Sequence, residues 1–74
     1  MEKNYYDILE VNKNASPEII EKAYKTLVKK YHPDLQNNNL KAEYEEKIKL
    51  INEAFEVLSN SEKRKNYDLN LKQN

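Results

Sequence analysis

The hydrophobic residues of this chain recur with the period of an α-helix in two long segments. In the segment from Pro17 to about Tyr31, and again from about Leu40 to Leu58, apolar residues lie three or four positions apart. This spacing places them on one side of a helix and predicts two amphipathic helices, α2 and α3, numbered after a short α1. The apolar stripes comprise Ile20, Ala23, Tyr24, Leu27, Val28 and Tyr31 in α2, and Tyr44, Ile48, Ile51, Phe55 and Leu58 in α3.

The short helix α1 is predicted from the residues that follow Asn4. The side chain of Asn4 can cap free backbone amides, and Asp7 follows three positions later, near the positive end of the helix dipole. Tyr6 and Leu9 are expected to face inward. Residues 11–15 are rich in turn formers and therefore predict a connector between α1 and α2.

Helix α2 has a start signal and a stop signal. Ser16 can cap its free amides, and Pro17 has the backbone angle of a first helical position. At the other end, Pro33 disfavours the helical conformation at His32 and has no backbone amide to donate. Helix α2 is therefore expected to end near Tyr31.

The remaining segments predict a loop and a fourth helix. Residues 35–39 contain three successive asparagines and are expected to form a loop. Residues 59–61 are expected to end α3 and to cap a short α4, in which Arg64, Tyr67 and Leu71 lie on one side while Lys63 and Lys65 face solvent. Residues 71–74 are expected to be a frayed end or the start of a linker.

Together these elements predict an all-α domain that occupies residues 1–74. Helices α2 and α3 are expected to form a long antiparallel hairpin, flanked by the short first and last helices. With 74 residues and no cysteine, the domain depends on apolar packing alone. The core is expected to comprise Tyr6, Leu9, Ile20, Tyr24, Leu27, Val28, Ile48, Ile51, Phe55, Leu58 and Tyr67.

Composition and charge exclude several classes of function. Thirteen basic residues balance thirteen acidic ones, which argues against a chain that coats nucleic acid or anionic lipid through bulk charge. No apolar run approaches the roughly 18 residues needed to span a bilayer, and no hydrophobic signal core follows Met1, so we expect a cytoplasmic segment without membrane contact. Glycine is absent, which removes the phosphate-binding loops. We expect no cofactor and no metal.

A run of lysines on α2 is the first candidate for a functional surface. The lysines are Lys22, Lys25, Lys29 and Lys30, and three of them follow the i, i+3, i+7 spacing of one helix face. They could bind an acidic surface of a partner. Alternatively, the lysines pair within the chain, because Glu18 and Glu21 each lie four residues before a lysine and α3 is rich in glutamate. Spacing alone leaves both interpretations equally open.

The second candidate is the tripeptide His32-Pro33-Asp34. The helix break would hold an imidazole and a carboxylate on an exposed turn directly after the lysines. The alternative is a plain helix stop that leads into a polar loop. A single histidine without cysteine makes no convincing metal site.

Five ordered motifs support the first interpretation of both candidates. They are YYDIL at residues 5–9, AYK at 23–25, KYHPD at 30–34, INEAFEVL at 51–58 and KRKNYD at 63–68. In this order and spacing, from about Tyr5 to Asp68, the chain resembles the J-domain of DnaJ-type co-chaperones, the heat-shock forty class.

The resemblance implies a non-catalytic, monomeric four-helix module, at the N-terminal part of a longer protein. Such a module recruits DnaK-type ATPases, the seventy-kilodalton heat-shock chaperones, and stimulates their ATP hydrolysis in support of protein folding. By resemblance, His32, Pro33 and Asp34 are required for stimulation, and Asp34 pairs with an arginine of the ATPase. The lysines matching the family's basic face, Lys22, Lys25 and Lys30, would meet an acidic surface of that partner. Unfolded clients would bind to regions outside this segment.

The chain departs from the common pattern of the family at several positions. Glu21 and Thr26 stand where basic residues are frequent, and both weaken the cationic face. Leu35 and Gln36 follow the turn where a basic residue and asparagine are usual. Glu10 stands where glycine is frequent. These departures bear on affinity and partner choice more than on the recruiting role.

Three other functions are weighed against this one. A nucleic-acid module is the best alternative, but Arg64 is the only arginine and the net charge is zero. An enzyme is a distant third, since one histidine and no cysteine leave no plausible pair of nucleophile and base. A generic helical adaptor without ATPase stimulation would keep binding after the His32 turn is altered.

Overall fold

The regular structure of the chain is helical throughout the part that the computed structural model describes, residues 3–32 and 40–72. The helices are α1 (Tyr5–Ile8), α2 (Pro17–Lys30), α3 (Lys41–Leu58) and α4 (Ser61–Lys72). The predicted all-α fold of four helices is thereby confirmed, and the bounds of α2 and α3 lie within one residue of those expected.

Side-chain caps begin the first two helices, as their sequences predict. In α1, the Asn4 side chain accepts a hydrogen bond from the backbone amide of Asp7 at 2.8 Å, and the Asp7 carboxylate accepts one from the amide of Asn4 at 3.3 Å. This reciprocal pair is a capping box. In α2, the Ser16 hydroxyl accepts a hydrogen bond from the amide of Ile19 at 3.3 Å, and Pro17 occupies the first turn.

Helix α4 begins at a side-chain cap and ends at Lys72, one residue after Leu71 of its apolar side. The Asn60 side chain accepts a hydrogen bond from the amide of Lys63 at 3.0 Å, which satisfies one free amide at the helix start. The helix continues through Leu71 to Lys72, two residues into the segment expected to be a linker or a frayed end. Leu71 is half-buried against the core, which explains why the helix continues. Residues 73–74 lie outside the described residues.

Aromatic contacts show that α2 and α3 form the expected antiparallel hairpin. The rings of Tyr24 and Phe55 are stacked with their centroids 4.0 Å apart, and the rings of Tyr31 and Tyr44 meet edge to face at 5.1 Å. Tyr24 comes before Tyr31 in the sequence, whereas its partner Phe55 comes after Tyr44, so the two helices run in opposite directions. Such pairs add specific geometry to the hydrophobic contact between the helices.

The core is centred on α3, which packs against α1, α2 and α4, and it includes one alanine of the connector. Six of the expected core residues are buried, namely Tyr6, Leu9, Ile20, Leu27, Ile51 and Leu58. The other five are half-buried and pack against these six: Tyr24, Val28, Ile48, Phe55 and Tyr67.

Two alanines that the stripes did not include are also buried. Ala54 is 0% exposed and Ala15 is 8% exposed. Ala54 lies three residues after Ile51 and four before Leu58, so it shares their side of α3. Its small side chain permits close approach of the neighbouring helix.

The turn after α1 has the hydrogen bonds of a Schellman motif. The carbonyl of Tyr6 accepts a hydrogen bond from the amide of Val11 at 3.0 Å, and the carbonyl of Asp7 accepts one from the amide of Glu10 at 3.1 Å. This motif requires a left-handed residue just beyond the helix, which is commonly glycine. Here the residue is Glu10, with φ of 58°, the only positive φ among the described residues.

We expect replacement of Glu10 by glycine to stabilise the domain by about 0.5–1 kcal/mol. A residue with a Cβ atom is destabilised by about 1–2 kcal/mol in the left-handed region, and glycine avoids this cost. The greater entropy of glycine in the unfolded chain offsets part of that stabilisation. The midpoint of urea unfolding measures the change. Glu10→Ala is the matched control, since it removes the charge but keeps the Cβ atom. A midpoint for Glu10→Gly no higher than that of Glu10→Ala would contradict the backbone explanation.

Candidate functional site

The four lysines of α2, which we call the lysine face, are exposed to solvent. They are Lys22, Lys25, Lys29 and Lys30. Burial of the opposite side of α2, with Ile20 0% and Leu27 6% exposed, fixes the direction in which the lysines point. Lys29 and Lys30 also lie in the last turn, where the helix dipole favours positive charge.

The lysine face is only slightly neutralised by acidic residues of its own helix. Lys25 forms an ion pair with Glu21 at 3.3 Å, one helical turn away. Both side chains are more than half exposed, so this pair contributes little to stability. Within residues 3–32 and 40–72, no ion pair is formed by Lys22 or Lys29.

The glutamates of α3 do not neutralise these three lysines either. In the described part of the chain, none of them pairs with Lys22, Lys25 or Lys29. Glu56 instead binds the Lys63 ammonium of α4 at 3.1 Å. Within the described residues, the interpretation that the lysines pair inside the chain therefore holds for Lys25 and not for Lys22 or Lys29.

Helix α2 ends at the position that the proline predicts. Lys30 is its last residue, and the amide of Tyr31 still donates to the carbonyl of Leu27 at 3.0 Å. His32 follows outside the helix and is exposed. The other two residues of the candidate turn, Pro33 and Asp34, lie outside the described residues.

Tyr24 lies on the apolar side of α2, opposite the lysine face, and places its ring against α3. Its hydroxyl donates a hydrogen bond to the Asn52 side-chain oxygen at 2.7 Å, and its ring is stacked on Phe55. These contacts hold the ring against α3. Tyr24 therefore fixes α2 against α3 from the side opposite the lysines.

A group of long-range hydrogen bonds fixes the connector that precedes α2. The guanidinium of Arg64 in α4 donates to the carbonyl of Lys13 at 3.0 Å, to the carbonyl of Ala15 at 2.8 Å and to the Tyr6 hydroxyl at 3.1 Å. The Tyr6 hydroxyl in turn donates to the Asp68 carboxylate. The sequence pattern placed Arg64 on one side of α4 but did not reveal these partners. The available signal was that Arg64 is the only arginine among 13 basic residues.

Burial and hydrogen bonding hold the Tyr6 hydroxyl in its neutral form. Burial raises the pKa of Tyr6, and the hydrogen bond to Asp68 raises it further, whereas the Arg64 guanidinium opposes both. The hydroxyl thus remains a donor to Asp68 and an acceptor for Arg64. Because Arg64 is engaged in this way, it is not placed to read nucleic-acid bases.

Neither a metal site nor a membrane span is found in the described residues. In residues 3–32 and 40–72, no three His, Cys, Asp or Glu side chains are grouped as metal ligands would be. No helix in these ranges is long and apolar enough to cross a membrane.

Comparisons with known proteins agree with one another. A family model described as the DnaJ domain matches residues 4–68. The chain is 60% identical over 68 residues to the chaperone protein DnaJ of Thermoplasma volcanium, an alignment that covers 92% of this chain and 18% of the relative. It is 60% identical over 67 residues to the chaperone protein DnaJ 2 of Aquifex aeolicus, covering 90% and 17%. It is 56% identical over 68 residues to the chaperone protein DnaJ of Campylobacter lari, covering 92% and 18%.

The fold and the exposed face define a class of small domains of four helices, in which the second helix exposes lysines and is followed by an exposed histidine. The match over residues 4–68 makes the assignment specific, and the chain belongs to the DnaJ domain family. The resemblance inferred from the sequence motifs is confirmed. The chain spans less than a fifth of the length of these curated relatives.

Replacement of Arg64 by lysine is expected to destabilise the domain by about 1–3 kcal/mol. A lysine ammonium lacks the planar fork of donors that reaches two carbonyls and a hydroxyl, and the acceptors in Ala15 and Tyr6, both buried residues, would lose their partner. The midpoint of urea unfolding measures this loss. Lys65→Ala, at the exposed neighbouring position, serves as the control and should change stability by less than about 0.5 kcal/mol. Parent-like stability of Arg64→Lys would show that the network does not hold the connector.

Proposed function

We propose that this chain is a co-chaperone module that binds a DnaK-type ATPase and stimulates its ATP hydrolysis. Membership of the DnaJ domain family, together with relatives that are named chaperone proteins, is the observation that carries the proposal. The module performs no chemistry itself. It acts as an activator of the partner's active site and thereby supports protein folding.

The lysine face is proposed to make the first contact with an acidic surface of the ATPase. Exposed charges of one sign raise the rate of encounter and fix the orientation of the two proteins. Lys22 and Lys29 are the best placed, because neither forms an ion pair in the described part of the chain. Lys25 must first exchange its contact with Glu21.

The turn His32-Pro33-Asp34 is proposed to deliver the stimulating signal. It directly follows the end of α2, and its first residue is exposed. A carboxylate that becomes desolvated at the centre of an interface affects binding more than a charge at the rim. Asp34 is therefore proposed to matter more than any single lysine.

Further features of the module remain proposals. We propose that residues 1–74 form one domain that acts as a monomer in the cytoplasm. In this proposal the domain is the N-terminal part of a longer protein, and the unfolded clients bind to regions outside it. The chain is proposed to need no cofactor.

Single-turnover ATP hydrolysis by a purified DnaK-type chaperone tests the proposed function. The parent is expected to accelerate hydrolysis, and His32→Gln and Asp34→Asn are each expected to abolish nearly all of the acceleration. Each substitution removes a recognition group without a large change of volume. Far-ultraviolet circular dichroism should be unchanged, since His32 is exposed and outside the helix. Full stimulation by both variants would exclude the turn from the function, and no stimulation by the parent would exclude the function itself.

The lysine face should show its role in the concentration dependence of stimulation. Lys29→Ala is expected to raise the half-saturating concentration about two- to fivefold at low salt, while leaving maximal stimulation unchanged. The difference should shrink at 0.5 M salt because exposed charges are screened. The matched control is Lys49→Ala, an exposed lysine on α3. An equal effect of the two substitutions would count against a specific role for α2.

A further inference from the structure

We infer that Tyr31 is a positioning residue, which fixes the direction in which His32 leaves α2. The expected effect on ATP hydrolysis rests on the proposed function. The restraint of His32 by Tyr31 does not depend on that function and can be tested without the ATPase. It concerns a residue that the sequence pattern assigned only to the apolar stripe of α2.

The backbone at Tyr31 leaves the regular helix. Its φ and ψ are −107° and 17°, and its amide makes the hydrogen bond to Leu27 that closes the last turn of α2. The following residue, His32, has no helical conformation. Terminal helical turns fray readily unless tertiary contacts hold them. The side chain of Tyr31 is therefore placed to restrain the end of α2, next to His32.

Three neighbouring side chains contact the Tyr31 ring. The Lys47 ammonium of α3 lies 5.0 Å from the ring centroid, and the Lys30 ammonium lies 5.3 Å from it. Both distances fall within the range of cation–π attraction. The Tyr44 ring of α3 meets Tyr31 edge to face at a right angle, with 5.1 Å between centroids. An aromatic edge and two cations thus hold one ring.

The contacts join the end of α2 to the beginning of α3. Tyr44 and Lys47 lie in the first two turns of α3, which starts at Lys41. The ring also borders a groove of about 330 Å³ with Ile8, Leu50 and Ile51 among its lining. Lys47 is exposed, whereas Tyr31 is half-buried. A substitution can therefore remove the Lys47 ammonium without leaving a cavity in the core.

Positioning matters because the proposed signal passes through a turn adjacent to the ring. A misplacement of about 1 Å in a reacting or recognition group can cost up to about a hundredfold in rate. If Tyr31 sets the exit direction of His32, its loss should lower the maximal stimulation reached at saturation. Loss of a docking charge would instead raise the concentration needed for half-saturation.

The structural part is tested by ¹⁵N relaxation of the His32 amide in the free protein. The parent should give an order parameter near that of rigid backbone, about 0.85. Lys47→Met removes the cation but keeps the chain length, and Tyr31→Leu removes the ring. Both are expected to lower the His32 order parameter, toward about 0.6 for Tyr31→Leu. Tyr31→Phe should retain the parent value, because it keeps the ring.

The functional part is tested by the same single-turnover assay, with maximal stimulation and half-saturating concentration measured separately. Tyr31→Leu is expected to lower maximal stimulation on the order of tenfold, and Lys47→Met by less. Tyr31→Phe should restore the parent behaviour. Lys49→Met, the same change two residues further along α3, should alter neither quantity.

Each outcome decides the inference. An unchanged His32 order parameter in both Tyr31→Leu and Lys47→Met would overturn it, whatever the ATPase assay shows. A lowered order parameter with unchanged maximal stimulation would also overturn the positioning role. If the parent fails to stimulate any DnaK-type ATPase, the proposed function is wrong. The relaxation measurements alone then decide whether the Tyr31 ring restrains His32.

Discussion

The packing of α2 against α3 is the constraint on which the proposed partner surface depends. A lysine-rich helix faces solvent on one side only if its other side is held by apolar contact, and here Ile20 and Leu27 are buried in the core. The stacked pair of Tyr24 and Phe55 fixes the register of the hairpin. The lysine face is therefore a consequence of the same packing that folds the domain.

The two ends of α2 are held by different means. At its start, Arg64 binds the connector carbonyls of Lys13 and Ala15, and so α4 restrains the segment that leads into the helix. At its end, Tyr31 contacts α3 through Tyr44 and Lys47. Helix α4 thus acts on α2 through hydrogen bonds to the connector, and α3 acts on it through direct packing. Because the helix is fixed at both ends, little backbone entropy is lost on binding, whereas each exposed lysine still loses side-chain freedom.

Local signals were sufficient to predict the helices and most of their ends. The helix start and stop signals act within a few residues, as Ser16, Pro17 and Pro33 do for α2. The apolar stripes repeat at the helical period. The same pattern placed the lysines on the polar side of α2, where they are exposed. Pro33 and Asp34 lie outside the described residues, so the turn itself rests on the sequence and the family.

Features that depend on distant residues or on backbone geometry were not predictable in this way. The partners of Arg64 lie 49 to 58 residues away in sequence, and no local pattern marks a carbonyl as an acceptor. Ala54 shares the buried side of α3 with Ile51 and Leu58, and its spacing was compatible with burial, but the stripe was drawn from larger side chains. The left-handed backbone at Glu10 follows from the turn between α1 and the connector. The one hint was the resemblance, in which glycine is frequent at this position, because the chain itself contains no glycine.

The most direct test of the account is a map of the residues that a DnaK-type chaperone contacts when it binds the ¹⁵N-labelled protein in the presence of ATP. The account predicts that amide signals of Lys22, Lys29 and His32 broaden first, while those of exposed residues on α4 such as Lys65 and Leu69 persist. Broadening centred on α4, with α2 unaffected, would contradict it.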